Sequence, residues 1–107
     1  MHAQDRKIVI CAGARTPTGH IAGSLAQARP HQLMTAALGA ALERSGLPKS
    51  EVDGLIVGWV GQDFESPNIA RVTLLRGGLP ESAQAVTVHN NCVSSIEAIS
   101  FAARAIL

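Results

Sequence analysis

A chain of 107 residues holds one domain or a piece of one, and its 47% hydrophobic content argues against a disordered segment. Nine basic and eight acidic residues give a net charge of +1 without a basic cluster, and only Trp59, Phe64 and Phe101 could stack on bases, which argues against a nucleic-acid partner. Charged residues make up only 16% of the chain, against about 25% in typical soluble domains, so much of its surface is expected to be covered by something else.

The polar lead Met1 to Lys7 runs straight into an apolar stretch instead of a signal-peptide core, and no stretch approaches the roughly 18 apolar residues that cross a bilayer. A cytoplasmic protein with no membrane span is expected. Lys7 to Gly13 is a continuous apolar run that predicts a strand buried on both faces. Ala14 to Pro30 is a loop punctuated by Pro17, Gly19, Gly23 and Pro30. From His31 to Ser45, Leu33, Ala37, Leu38, Ala41 and Leu42 recur at helical spacing, with Gly46 as the stop and Pro48 beyond it. After a turn at Lys49 to Asp53, Gly54 to Val60 predicts a second buried strand. Gly61 to Pro67 is a polar loop, and Asn68 is placed to cap a short helix to Arg76 that Gly77 and Gly78 end. Ala85 to Val88 predicts a third strand, and Ile96 to Leu107 a helix with Ile96, Ile99, Ala103 and Ile106 along one stripe. The order βαβαβα implies an α/β fold, a mostly parallel sheet with packed helices, whose functional sites gather at the carboxyl ends of the strands.

Cys92 stands at such an end, in His89-Asn90-Asn91-Cys92-Val93-Ser94-Ser95 between the third strand and the last helix. Unpaired N–H groups and the macrodipole at a helix N-terminus favour an anion, so a thiol there is a nucleophile by placement. The competing reading is a small buried hydrophobe, the commoner state of free cysteine. Cys11, inside the first apolar run, is expected to be buried and inert. Two cysteines in such different settings suggest neither a disulfide framework nor a metal site, and fit a reducing compartment. Gly13 to His20 follows a strand, but its glycine spacing is not that of a phosphate loop. His2, His20, His31 and His89 lack metal-site spacing. His89, three residues before Cys92, is a weak candidate for its base, because a strand end and the following elbow point side chains different ways.

The stretches Ile8 to Gly19 with Arg15-Thr16-Pro17, Glu43 to Leu47, Glu51-Val52-Asp53, Pro67-Asn68-Ile69-Ala70-Arg71 and Thr87-Val88 before Cys92 together resemble the N-terminal part of the thiolases, over nearly the whole chain and in order. The resemblance implies that Cys92 is the acyl-carrying nucleophile, that 3-ketoacyl-CoA and coenzyme A are substrates, and that no metal or tightly held cofactor takes part. It implies a thiolase-like fold and a homo-oligomer for the complete protein. Biosynthetic thiolases commonly have Cys-Gly-Ser-Gly, whereas Cys92-Val93-Ser94-Ser95 and Glu65-Ser66-Pro67-Asn68 look more like the β subunits of fatty-acid oxidation complexes. That likeness implies a degradative 3-ketoacyl-CoA type, with the α subunit of such a complex as a partner. The family's Gly-His-Pro histidine and its Cys-x-Gly-x-Gly cysteine do not occur in these residues. Residues 1–107 are therefore expected to be the N-terminal segment of a thiolase N-terminal domain, cut after the nucleophile helix and inactive alone. A ketoacyl synthase-like condensing enzyme and a non-catalytic chain that packs against a complementary polypeptide stay open as alternatives.

Overall fold

The computed structural model describes residues 5–107; Met1 to Gln4, with His2, lie outside the described residues. Helix α1 spans Pro30–Ser45, strand β1 Gly54–Gly58, helix α2 Ile69–Arg76, strand β2 Gln84–Val88 and helix α3 Ser94–Ile106, with a 3-10 turn at Lys49–Glu51. β1 and β2 pair in parallel, Gly54 opposite Gln84 through Gly58 opposite Val88. Every predicted helix is present, and the second and third predicted strands are shifted at their ends by one or two residues.

Local chemistry accounts for the helix ends. Pro30 occupies the first position of α1, where its missing N–H costs nothing, and the Arg29 N–H donates to Gln32 Oε1 at 2.8 Å. Gly46 closes the helix at φ 71°, a left-handed conformation that glycine adopts without strain. Asn68 caps α2, accepting from the Arg71 N–H at 3.3 Å. In front of α2, Arg29 Nε donates to Glu65 Oε2 at 2.7 Å and ties the polar loop to the start of α1. That hydrogen bond is the main reason the Glu65 carboxyl sits below the ordinary carboxylate range and Arg29 above its own.

The alternation of the strands sorts the helices onto two faces. Leu55, Val57 and Trp59 pack with Ile69 and Ala70 of α2 and Met34 of α1, while Leu74, Leu79 and Ala83 form a second cluster under Leu38 and Leu42. Ile56 and Val86 face the other way, lining a groove with Phe101, Ala102 and Ala105 of α3. Only the first half of the expected stripe on α3, Ile96 and Ile99, looks outward, while Ala103 is half-buried and Ile106 lines the groove. Ile96, Ile99 and Ile106 are 69%, 58% and 47% exposed, and the residues α3 buries are Ser94 and Ala98.

The first predicted strand is the main correction. Lys7 to Gly13 makes no ladder, Val9 and Ile10 are exposed, and so is Cys11, which was expected to be buried. A run of apolar residues signals a strand only when a neighbour supplies the hydrogen bonds, and among the described residues the two strands pair only with each other. The segment is held instead near its two ends, by Arg6 Nη1 donating to the Ile106 carbonyl at 2.6 Å and Arg44 Nη1 donating to the Gly13 carbonyl at 2.7 Å.

Candidate active site

β2 is set in place by α2 before it delivers its carboxyl end. The Thr87 hydroxyl donates to Asn68 Oδ1 at 2.7 Å and accepts from the Ala70 N–H at 3.1 Å. Asn68 Nδ2 donates to the Ala85 carbonyl at 3.2 Å, and Arg71 Nη1 donates to the carbonyls of Glu81 and Ala83. The Asn68-x-Ala70-Arg71 pattern is thus a structural fastening between the start of α2 and β2, and it fixes the strand that leads to the cysteine.

Beyond Val88 the chain turns sharply. The Val93 N–H donates to the Asn90 carbonyl at 3.1 Å and the Ser94 N–H to the Asn91 carbonyl at 3.2 Å, two overlapping turns that bring Cys92 to the threshold of α3. Asn91 lies in the left-handed region at φ 46°, which asparagine tolerates better than most residues. Ser94, 4% exposed, accepts from the Asn90 N–H at 2.9 Å and donates to the Asn91 carbonyl at 2.6 Å. Cys92 itself is exposed and unpaired, one residue ahead of Val93, the N-cap of α3. Among the described residues the amides of Ser95 and Ile96 find no backbone acceptor; that of Ser95 lies beside Gly58 at the end of β1, and the positive end of the helix dipole favours an anion at this turn. The predicted placement of Cys92 at a strand-to-helix junction is what the structure shows.

His89 is engaged elsewhere: its Nδ1 accepts from the Asn91 N–H at 3.2 Å, and no hydrogen bond joins it to Cys92. Its contact is to the elbow's backbone. His20 is exposed on the loop before α1, and His31 is buried at the start of α1 with Nε2 3.9 Å from Glu65 Oε2.

Two residues escaped the sequence reading. Ser94 was read as part of the elbow and not as its clasp, although a serine four residues after Asn90 at a helix start was a usable signal. Gly58 was read as a strand residue. A Cβ there would fall on the Ser94 backbone carbonyl group, so glycine lets the end of β1 touch the start of α3. Glycine inside a strand pattern is itself a sign of close backbone approach. Gly58→Ala is expected to destabilise the fold by about 1–3 kcal/mol, the usual range for overpacking. The urea midpoint is the measurement, and an unchanged midpoint would mean that this contact does not set the elbow.

The family model described as "Thiolase, N-terminal domain" matches residues 8–107. This chain belongs to the thiolase family. It is 41% identical over 104 residues to the β-ketoadipyl-CoA thiolase of Pseudomonas aeruginosa, covering 95% of this chain and 26% of that protein. It is 38% identical over 101 residues to the mitochondrial acetyl-CoA acetyltransferase of Mus musculus, covering 94% of this chain and 24% of that one. Its backbone superposes on human mitochondrial 3-ketoacyl-CoA thiolase, solved in complex with CoA, with a TM-score of 0.86 at 31% identity, over 90% of this chain and 25% of that one. This thiolase chain therefore has the thiolase fold and spans about a quarter of the length of the relatives it matches.

Proposed function

We propose that this chain carries the acyl-accepting nucleophile of a thiolase-type acyltransferase acting on 3-ketoacyl-CoA. The exposed Cys92 thiol at the N-terminal end of α3 carries the reading. In the forward direction the Cys92 thiolate attacks the keto carbonyl, and the bond between the α carbon and that carbonyl carbon breaks. The electron pair leaves on the α carbon of acetyl-CoA, which takes up a proton, and the shortened acyl group remains on sulfur as a thioester. A second coenzyme A, as thiolate, attacks that thioester, and the acyl-CoA leaves with Cys92 free again. Condensation is the same path reversed. Free N–H groups at the first turn of α3 suit the negative charge that develops during attack. No hydrogen bond joins His89 to the Cys92 thiol, its Nδ1 accepting instead from the Asn91 N–H.

Coenzyme A enters as a substrate, and the reaction needs no metal or bound cofactor. The Cys92-Val93-Ser94-Ser95 sequence supports the degradative 3-ketoacyl-CoA class. Two unpaired, exposed cysteines suit a reducing, cytoplasmic setting.

Because Cys11 and Cys92 are both exposed, comparing the two thiols measures activation more than burial. Brief iodoacetamide labelling near neutral pH, followed by peptide mapping, is expected to modify Cys92 about two- to fivefold faster than Cys11, the range a helix N-terminus contributes at an exposed site. Equal rates in a folded chain would remove the observation on which this function rests.

A further inference from the structure

We infer that Ser94 is the positioning residue of the nucleophile elbow, fixing through the backbone where Cys92 presents its thiol. The inference rests on the reading of Cys92 as nucleophile and adds the group that aims it.

The hydroxyl of Ser94 is used on both sides. It accepts from the N–H of Asn90 and donates to the carbonyl of Asn91, so it grips the peptide units on either side of the Asn90-Asn91 pair, whose second member is the left-handed residue immediately before Cys92. Without that grip, the turn around Asn91 keeps its two backbone hydrogen bonds but loses the link that forbids Asn90 and Asn91 from rotating together. Ser94 cannot shift to accommodate such rotation. Its side chain is buried, its carbonyl lies against Gly58 at the end of β1, and its N–H is spent on Asn91. β1, the elbow and the first turn of α3 thus meet on one residue, and Cys92 hangs between that residue and the Asn91 carbonyl it holds. A hydroxyl at this place is polar and buried, and both its bonds go to the elbow, none to the body of the helix.

The test uses two readouts on the 107-residue chain at low concentration. Amide hydrogen exchange at Asn90 reports the clasp, and the ratio of Cys92 to Cys11 iodoacetamide labelling reports its effect on the thiol. Ser94→Ala is expected to speed Asn90 exchange by about two- to tenfold, the loss of one hydrogen bond, and to bring the labelling ratio towards one. Exchange at Val57 and Val86, whose amides face the neighbouring strand in the sheet, should not change. Ser94→Thr, which keeps the hydroxyl, should restore both readouts. The inference is overturned if Ser94→Ala leaves Asn90 exchange unchanged, or frees Asn90 without moving the ratio. If Ser94→Ala loosens the sheet as well, Ser94→Thr decides: recovery of the sheet without recovery of the ratio overturns it. A wild-type chain with a protected Asn90 amide and a ratio of one overturns the nucleophile reading instead, and is thereby told apart from failure of the clasp alone.

Discussion

Given acetoacetyl-CoA or a longer 3-ketoacyl-CoA together with coenzyme A, the 107-residue chain is expected to show no thiolysis above background. Cys92 is exposed just before α3, with no base hydrogen-bonded to it among the described residues. Its neighbour His89 accepts a hydrogen bond from the elbow and makes none to the thiol, and the sequence holds neither Gly-His-Pro nor Cys-x-Gly-x-Gly. Catalytic groups that act as a unit lose nearly all their rate when one is removed, by about a million-fold in well-studied triads. The loss of ketoacyl-CoA absorbance follows the reaction. Turnover at ordinary enzymatic rates that disappears in Cys92→Ala would show that a base and an acid lie within these residues after all.

The same chain is expected to associate in solution. It exposes 7693 Å², whereas a folded monomer of its 11.1 kDa mass should expose about 5,700 Å². The excess, about 2,000 Å², is more than twice the roughly 800 Å² that one partner buries in a standard protein–protein interface. Its composition points the same way, because Val9, Ile10, Ile21, Phe64, Ile96 and Ile99 are all more than half exposed. Among the described residues each strand of the two-stranded sheet also has one unpaired edge, and such edges are templates for further pairing. Sedimentation should therefore show concentration-dependent oligomers, and heating a broad transition. A single monomeric species with a sharp melt would mean that the low charge content has another cause.

The sequence showed helices more faithfully than strands, for a physical reason. α1 and α2 are bounded by groups that act within a few residues, Pro30 and Gly46 for one and Asn68 and Gly77 for the other, so their limits could be read locally. Lys7 to Gly13 has the composition of a buried strand, but pairing is a long-range property, and the segment has no ladder partner among the described residues. The start of α3 was placed two residues late because Ser94 and Ser95 favour caps and turns as readily as a first helical turn. Cys92 was legible because strand, elbow and helix follow one another directly in sequence. The clasp by Ser94 and the contact at Gly58 were not, since one depends on the left-handed turn at Asn91 and the other on how β1 meets α3.

Acyl transfer to sulfur is a simpler demand than turnover, because it needs only a reactive thiol and a thioester. The most direct measurement is therefore to incubate the folded chain with acetyl-CoA, quench in acid, digest, and locate the acetyl group by mass spectrometry. The account predicts a thioester on the peptide bearing Cys92, formed about two- to fivefold faster than on the peptide bearing the also exposed Cys11, and none at position 92 in Cys92→Ala. Equal acetylation of both cysteines, or acetylation of Cys11 alone, would contradict it.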